Sequence, residues 1–311
     1  MKTLLLCPGQ GSQKIGMGKD LAGAFPAARE VFQAIDEALG VGLSKVMWEG
    51  PEDLLTRTDH AQPAILAHSV AVWAVAGAKL RGTVAAAAGH SLGEYSAYVA
   101  AGALGAADGA KLVRRRGELM HEAGTARAGA MAAVLGLAPD VVIAACSEAS
   151  KSGGVVVAAN INEPTQTVIS GDPEAVARAG ELLKAKGAKR VIPLKVSGAF
   201  HSPLMAPAQT GLAAALEQVA MKDPAFPVVA NATAEPVKDT RTAKAQLSAQ
   251  LVSPVRWVEC TQRLHALADS ARFVEIGPGT VLTGLARRIV AGAQVLNLGT
   301  AADVGAFLEA A

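Results

Sequence analysis

The stretch AAAAGHSLGEYSAY, residues 85–98, joins a short apolar run to an amphipathic one through two closely spaced glycines. Residues 83–88 predict a short central strand, although alanine has a poor strand propensity. Residues 92–101 predict a helix. The connecting residues GHSLG, 89–93, fit the pattern G-x-S-x-G, which places a serine on a sharp turn between a strand and a helix. This succession of elements predicts an α/β fold.

Ser91 lies at the point of this turn, where a hydroxyl would project at the amino-terminal end of the helix. Small neighbours would let the chain pass close, and the backbone N–H of Leu92 can help to stabilise an oxyanion. The pattern alone is weak, because the chain contains 32 glycines. Ser91 is therefore either a nucleophile or a serine that caps a helix in a glycine-lined turn.

The same alternation of strands and helices continues on both sides of the turn. The opening TLLLC predicts a buried parallel strand, and the loop PGQGSQ follows it. Residues 61–80 and 106–123 predict long helices, the first of them buried. Beyond a helix near 203–220, the chain predicts the strand RFVEIG, a helix through Arg288, the strand VLNLG and a closing helix. The parallel sheet of the α/β fold is built from these strands.

Residues 126–196 have a different rhythm, because six predicted elements follow the order β-α-β-β-α-β of a ferredoxin-like unit. Asp172 is the expected cap of the second helix in this unit. We expect the unit to be a small subdomain that is inserted in a larger α/β subdomain. That larger subdomain consists of residues 1–125 and 197–311.

Composition and charge do not favour several classes of function. Of the 311 residues, 51% are hydrophobic and 18% charged, and the net charge of +2 gives no argument for a nucleic-acid or membrane-surface partner. Pro8-Gly9 ends the first apolar run too early for a signal peptide, and no apolar stretch approaches the ~20 residues that span a bilayer. The cysteines, Cys7, Cys146 and Cys260, form no metal-type pair. We expect a cytoplasmic protein without a metal.

Six histidines could supply the base that a nucleophilic serine needs. His201 lies in KVSGAFHSPLM, after a predicted strand and before a helix that Ser202 caps. Such loops are where α/β sheets place their active sites. His201 is either the base or a capping or packing histidine, and no acidic residue has an obvious claim to orient it. His90 is expected to point away from Ser91, and the others are assigned to helices or their ends: His60, His68, His121 and His265.

Arg116 lies at the centre of an apolar arc on the helix predicted at 106–123. The other members of the arc are Leu112, Val113, Leu119 and Met120. An arginine in a buried stripe needs an anion. Arg116 either pairs with an internal Asp or Glu, snorkels to the surface, or presents a guanidinium fork to a substrate carboxylate.

The loop PGQGSQ fits neither of the common phosphate-binding patterns. It lacks the third glycine of G-x-G-x-x-G, and Gly18-Lys19 lacks the other residues of a P-loop. Gln10 is therefore interpreted as a polar group beside the turn at Ser91.

Several motifs occur in a fixed order along essentially the whole chain: PGQGSQ, GHSLGEY, Arg116-Gly117, GAFHSPLM, QLVSPVRW and EIGPGTVLTGL. Together they resemble malonyl-CoA:acyl carrier protein transacylases, the discrete bacterial acyltransferases of fatty acid synthesis. The resemblance implies a hydrolase-like large subdomain and a ferredoxin-like small one. It also implies ping-pong transfer of a malonyl group from a coenzyme A thioester to the phosphopantetheine thiol of holo acyl carrier protein. No metal or redox cofactor is implied, and a monomer is expected.

The resemblance also assigns a role to each matching residue. It implies Ser91 as the nucleophile, His201 as the base, and the main-chain carbonyl of Gln250 as the group that orients the histidine. The remaining roles are the oxyanion-hole N–H groups of Gln10 and Leu92, the carboxylate-binding Arg116, and Phe200, whose bulk opposes a methyl group on the substrate. Malonyl-selective members tend to have His-Ala-Phe-His at this motif, whereas this chain begins it with Gly198.

Other functions remain open at this point. A serine thioesterase or esterase would share the turn and the base but would need no central arginine. The same transfer could serve a polyketide synthase or malonate decarboxylase, and a scaffold with a decayed site is a further possibility. Exposed basic residues are candidates for contact with an acidic carrier protein, and two asparagines are expected near the cleft between the subdomains. These are Lys189, Arg190 and Arg287, and Asn160 and Asn162.

Overall fold

The computed structural model describes residues 1–196 and 198–310 of the chain. Within these residues, ten strands form two sheets. The strands are β1 (Thr3–Cys7), β2 (Val84–Gly89), β3 (Ala130–Leu135), β4 (Val156–Glu163), β5 (Gln166–Gly171), β6 (Arg190–Pro193), β7 (Val228–Val229), β8 (Pro236–Val237), β9 (Arg272–Ile276) and β10 (Val295–Leu298).

Helices connect and cover these strands. They are α1 (Lys19–Ala24), α2 (Pro26–Leu39), α3 (Leu43–Glu49), α4 (Glu52–Thr56), α5 (Thr58–Leu80), α6 (Gly93–Ala100), α7 (Ala106–Ala126), α8 (Pro139–Ser150), α9 (Pro173–Ala185), α10 (Ala206–Gln218), α11 (Thr240–Ala249), α12 (Trp257–Leu267), α13 (Val281–Ile289) and α14 (Ala301–Glu309). Short 3₁₀ turns at Pro203–Met205 and Gln250–Val252 precede α10 and follow α11.

The larger sheet has the strand order β10-β9-β1-β2-β7-β8. Its first five strands run parallel, and β8 pairs antiparallel with β7. Cys7 at the end of β1 pairs with Gly89 at the end of β2, so the loops that follow both strands leave the sheet side by side. The predicted α/β fold class with a parallel sheet is confirmed.

Alanine forms the centre of β2 because both faces of this strand are covered. Ala87 packs in the core on the side of α5 and α6, whereas Ala86 and Ala88 pack on the side of Trp257. All three alanines are fully buried. Small side chains let the flanking helices approach the sheet closely, and this burial outweighs the low strand propensity of alanine.

The smaller sheet has the order β4-β5-β3-β6, and each of its pairs is antiparallel. Helices α8 and α9 share one apolar core with these strands. The elements follow the predicted β-α-β-β-α-β order within residues 126–196. The limits of the two subdomains stay a prediction, and the predicted boundary residue 197 and chain end 311 lie outside the described residues.

Asp172 occupies the predicted cap position of α9, but its side chain makes no capping hydrogen bond. Its carboxylate instead accepts hydrogen bonds from the backbone N–H of Val155 (2.7 Å) and from the guanidinium of Arg127 (2.7 Å). The predicted cap position is confirmed, and the side chain makes no capping bond because these partners from distant segments occupy its oxygens.

Helix α5 is long and apolar enough to span a membrane by length and composition, which corrects the expectation that no stretch approaches that length. It is also the long buried helix predicted at 61–80. In the folded protein, 78% of its most apolar stretch is buried. Helix α5 is therefore a core helix that packs under the larger sheet.

Candidate active site

The turn between β2 and α6 has the tight geometry that its sequence predicts. Ser91 adopts a positive φ of 53°, which is rare for a residue other than glycine. A Cβ atom at Gly89 would overlap the backbone of Gly93, and one at Gly93 would overlap the carbonyl oxygen of Cys7. The two glycines therefore allow β1, β2 and α6 to meet, and they leave the Ser91 side chain at the carboxyl edge of the sheet.

Ser91 lies within hydrogen-bond distance of His201. The Ser91 Oγ and His201 Nε2 atoms are 2.8 Å apart, and His201 Nδ1 is 3.0 Å from the backbone carbonyl oxygen of Gln250. A carbonyl oxygen only accepts, so Nδ1 carries the proton and Nε2 offers a lone pair to the serine hydroxyl. The carbonyl of Gln250 thus takes the place of the acidic residue that the sequence did not reveal.

His201 is held in its neutral form. Burial and the nearby positive charge of Arg116 lower its pKa from 6.5 to about 3. Its backbone also has a positive φ, 56°, in the loop that leads to the 3₁₀ turn capped by Ser202. The serine and its predicted base thus both lie in strained backbone positions, which is frequent at functional sites.

The third group at the Ser91 hydroxyl is the guanidinium of Arg116, which is only 1% exposed. Its Nη2 atom donates to Ser91 Oγ (3.0 Å) and to the side-chain oxygen of Gln250 (2.9 Å), and its Nη1 atom donates to Gln62 (2.7 Å). The guanidinium also lies against the ring of Tyr95 at 5.6 Å. All of these partners are uncharged.

Arg116 therefore differs from an ordinary buried ion pair. Among the described residues, no carboxylate lies within salt-bridge distance of it, and its Nε atom has no hydrogen-bond partner. Burial lowers its pKa from the ordinary value. Of the three readings of the sequence, the internal pair and the snorkelling side chain do not describe this geometry. A buried cation with neutral partners is suited to receive an anion from outside.

Sequence reasoning missed two residues that hold the turn in place. Asn231 accepts the Ser91 N–H through its side-chain oxygen (2.7 Å) and donates to the Gly89 carbonyl (2.8 Å). Glu94, which is fully buried, accepts from the Asn231 N–H (2.9 Å) and the Gln250 amide (2.8 Å). The signal for Asn231 is a polar residue two positions after the end of β7, which pairs with β2. The signal for Glu94 is an acid on a helix with small and aromatic neighbours.

The two predicted oxyanion donors lie at neighbouring strand ends. Gln10 follows β1 and Leu92 follows Ser91, and β1 and β2 are adjacent. Across the part of the chain that the structure describes, neither backbone N–H has a protein acceptor. The side chain of Gln10 is turned aside and donates to Thr58 (3.3 Å). Two free N–H groups at this edge can serve an oxyanion.

Phe200 precedes His201 and is buried in the main core. Its ring lies beside Gly198, where a Cβ atom would come within 3.3 Å of the ring and 3.1 Å of the Gly124 backbone. Glycine at position 198 therefore leaves room for the phenylalanine ring.

The remaining predicted residues lie beside this centre or on the surface of the protein. His90 points away from Ser91, as predicted, and its Nε2 atom bonds the side-chain oxygen of Asn162 (2.9 Å). Asn160 is buried where β4 meets the segment before α12, through a bridge to Val255. The smaller sheet thus borders the site.

The basic residues Lys189, Arg190 and Arg287 are exposed. Over residues 1–196 and 198–310, no cluster of three or more His, Cys, Asp or Glu could hold a metal.

Comparisons with known proteins all find similarity to acyltransferases. The chain matches the acyl transferase domain family over residues 4–307. It is 46% identical over 289 residues to the malonyl CoA-acyl carrier protein transacylase of Bacillus subtilis (strain 168), which covers 93% of this chain and 90% of that protein.

Two solved structures share the fold at a TM-score of 0.94 and 41% sequence identity. One is an acyl carrier protein S-malonyltransferase from Vibrio cholerae, matched over 99% of this chain and 100% of that chain. The other is a type II PKS acyl-carrier protein in complex with its malonyl-transacylase, matched over 99% of each chain.

Proposed function

The chain belongs to the acyl transferase family, and from this premise we propose that it transfers a malonyl group from malonyl-CoA to the thiol of an acyl carrier protein. The fold and the sequence identity to malonyl transacylases support this proposal over nearly the full length of the chain. The geometry at Ser91 supports it independently, because a nucleophile, a neutral base and a cation without a carboxylate partner meet at one oxygen atom.

Acylation begins with Ser91 as the nucleophile. His201 takes the hydroxyl proton across the 2.8 Å hydrogen bond as the oxygen attacks the thioester carbonyl. The Gln250 carbonyl holds the imidazole tautomer that this step needs. The backbone N–H groups of Gln10 and Leu92 stabilise the tetrahedral oxyanion. His201 then returns the proton to the departing coenzyme A thiolate, which leaves a malonyl ester on Ser91.

The second half of the reaction runs the same steps in reverse with a different thiol. The phosphopantetheine thiol of the carrier gives its proton to His201 and attacks the ester, and Ser91 leaves with the proton. Both halves use only these residues and the two thioesters, and no metal or redox cofactor takes part in the proposed mechanism.

Arg116 selects the substrate. The malonyl carboxylate takes the place of the neutral partners of the guanidinium and forms a bidentate, charge-assisted pair with it. An acetyl group offers the guanidinium no carboxylate to pair with directly, and such a mismatch costs on the order of several kcal/mol at comparable sites. Phe200 next to His201 opposes a methyl branch on the malonyl group. The Arg116 charge also lowers the pKa of His201, so a bound carboxylate makes the histidine a stronger base.

The test is the intact mass of the protein after brief mixing with equal concentrations of malonyl-CoA and acetyl-CoA. We expect a malonyl adduct that persists in water, disappears when holo acyl carrier protein is added, and is absent from the Ser91→Ala variant. Free coenzyme A that accumulates without an adduct would assign the protein to the thioesterases instead. A malonyl ester on the Ser91→Ala variant would exclude Ser91 as the nucleophile.

The structure that contains a type II PKS carrier favours a second candidate for the pathway, in which the carrier belongs to polyketide synthesis. The two candidates differ only in the carrier. Transfer rates to one fatty-acid carrier and one polyketide carrier, compared at equal concentration, distinguish them. Within the proposal, the exposed Lys189, Arg190 and Arg287 contact the acidic carrier, and the enzyme acts as a cytoplasmic monomer.

A further inference from the structure

Glu94 is a fully buried acid that the mechanism above does not use. It lies in the first turn of α6, three residues after the nucleophile. Its Oε2 atom accepts both hydrogen bonds, from the Asn231 backbone N–H and from the Gln250 side-chain amide. Among the described residues, its Oε1 atom has no partner. Such a half-satisfied carboxyl group is costly to bury, so it calls for an explanation.

Both partners of Glu94 also hold the backbone of Ser91. Asn231 accepts the Ser91 N–H (2.7 Å), and the Gln250 amide donates to the Ser91 carbonyl (3.0 Å). Glu94 therefore fixes the two groups that clamp the serine on either side of its positive φ. This arrangement makes Glu94 a support for the strained turn.

The same amide links Glu94 to the substrate-binding cation. The Gln250 side-chain oxygen accepts from Arg116, which can only donate, so the NH₂ group must face Glu94. The side-chain amide of Gln250 thus bridges the two residues, with its oxygen toward Arg116 and its NH₂ group toward Glu94. Within the described residues, Glu94 is the acid that this hydrogen-bond network connects to the guanidinium.

We propose that Glu94 is a positioning residue for Ser91 and the resting counter-charge of Arg116, and that it binds a proton when a malonyl carboxylate pairs with Arg116. This inference rests on the proposed function. Before the substrate arrives, the negative charge of Glu94 compensates the positive charge of Arg116. After the malonyl carboxylate arrives, three charges would share one dry site, and the carboxyl group of Glu94 is the one without a direct cationic partner.

The surroundings of Glu94 support this exchange. Arg116 on α7, Tyr95 and Tyr98 on α6 and Cys260 on α12 are the titratable groups that face it. Burial raises the pKa values of the two tyrosines and the cysteine, so Arg116 carries the charge near neutral pH. Burial raises the pKa of Glu94 to about 7, while its hydrogen bonds and Arg116 oppose that rise. Pairing Arg116 with another anion removes part of this opposition, so the pKa of Glu94 rises further.

The proton in question comes from solvent and is separate from the transfer chemistry. In acylation, the proton of Ser91 passes through His201 to the coenzyme A thiolate, so that step neither consumes nor releases one. Glu94 converts from carboxylate to carboxylic acid when the malonyl group arrives, and it ionises again when the group leaves. Proton uptake by the protein from the solution therefore reports on Glu94.

The experiment mixes weakly buffered protein with stoichiometric malonyl-CoA and follows a pH indicator, while the intact mass counts malonyl groups. At about pH 8, above the resting pKa, we expect uptake that approaches about one proton per malonyl group. Glu94→Gln should form the adduct without this uptake, because its amide does not titrate. The control Glu181→Gln, at an exposed acid that pairs with Lys184, should match the unchanged protein.

Positioning has its own readout. Glutamine keeps an oxygen that accepts from Asn231 and Gln250, whereas alanine removes it. We expect Glu94→Ala to lower kcat for malonyl transfer by on the order of 100-fold with a smaller effect on KM, and Glu94→Gln to restore most of it. If Glu94→Ala does not fold, the proton measurement on Glu94→Gln still decides the matter.

The outcomes separate the two proposals. An adduct that forms without proton uptake in the unchanged protein, or uptake that persists in Glu94→Gln, overturns the role of Glu94 and leaves the transferase proposal intact. The absence of any malonyl adduct in the unchanged protein overturns the proposed function itself.

Discussion

Two turns at the same edge of the larger sheet each join a parallel strand to a helix, but they differ in their residues and hydrogen bonds. The first joins β2 to α6 and carries Ser91, and the second joins β9 to α13 through Gly277-Pro-Gly-Thr280. Each turn has a fully buried glutamate beside it, Glu94 in the first and Glu275 in the second. The comparison shows how a buried acid that supports a fold differs from one that supports a site.

Glu275 has a closed set of partners. Its two carboxylate oxygens accept the backbone N–H groups of Leu282 (3.1 Å) and Thr283 (2.8 Å) in the first turn of α13. A carboxylate at a helix N-terminus satisfies amide groups that would otherwise lack partners and complements the helix dipole. The side chains of Thr283 and Asn297 also interact with this carboxyl group. Among the described residues, its partners thus lie on α13 and on the neighbouring strand β10, so the acid anchors a helix to the sheet.

Glu94 has an open set of partners. Its hydrogen bonds lead through Asn231 and Gln250 to the backbone of Ser91 and to the guanidinium of Arg116. The backbones differ in the same way. Glycines occupy the positive φ positions of the second turn, Gly277 and Gly279, whereas Ser91 itself occupies the one in the first. A strained backbone at a serine and a polar network that extends to the site mark the turn that carries chemistry.

The largest expected difference between the turns concerns their glycines. In Gly93→Ala, the added methyl group would lie 2.1 Å from the carbonyl oxygen of Cys7. This overlap involves backbone atoms, which cannot move aside as a flexible side chain can. We expect a loss of about 4 kcal/mol or more in the free energy of unfolding, or no folded protein at all. Gly279→Ala has ordinary space, with Ser12 Cβ at 3.8 Å, so only its φ of 81° costs, by about 1 kcal/mol.

Urea denaturation of the two alanine variants compares the turns directly. Equal losses of stability would mean that the first turn is not packed more tightly than the second, and would contradict the role given to the glycines of G-x-S-x-G.

The sequence predicts the first turn better than the second because the first is defined by local geometry. Gly89, Ser91 and Gly93 are separated by single residues, and the strain and close approach that they imply are present in the structure. The position of Arg116 on an apolar arc also predicts its burial, because helical periodicity alone determines the face. Local patterns thus predict the fold class, the turn and the buried cation.

The links between distant segments could not be predicted in this way. Asn231, Gln250 and Glu94 come together because β7, the end of α11 and α6 meet at one sheet edge, and no local pattern gives their hydrogen bonds. The same holds for Asp172, where Arg127 and Val155 replace the expected helix cap. The role of the Gln250 carbonyl was available only through family resemblance, since a backbone group leaves no mark in the sequence.

The second expected effect concerns Arg116, which the hydrogen bonds of Glu94 reach and those of Glu275 do not. In the Arg116→Ala variant, malonyl transfer should fall on the order of 1,000-fold, because the substrate carboxylate loses its partner in a dry site. Acetyl transfer should fall far less. Initial rates with malonyl-CoA and acetyl-CoA measure both values.

Arg115→Ala is the matched control for this change. Arg115 lies on the same helix, is exposed, and pairs with Glu118 and Glu122 rather than with the site. It should leave both rates unchanged. An equal loss of malonyl and acetyl transfer in Arg116→Ala would make Arg116 a structural residue and would remove the functional contrast between the two networks.

The smallest expected effect belongs to Glu275→Gln, and it concerns stability against pH. Burial raises the pKa of Glu275 above its ordinary value of 4.5, while the Leu282 and Thr283 N–H groups oppose the rise. The folded protein therefore holds this proton at pH values where the unfolded chain has lost it. The stability that the group contributes is complete below about pH 4.5 and is lost as the pH rises through the folded-state pKa. Glutamine does not titrate, so urea unfolding of Glu275→Gln across this range should lack that decline. Malonyl transfer should stay within about twofold of the unchanged protein, because among the described residues the partners of Glu275 lie on α13 and β10 and no hydrogen bond links it to the network around Ser91. A larger fall in transfer would show that the second turn also affects the site, and that a closed set of hydrogen-bond partners does not by itself separate a structural acid from a functional one.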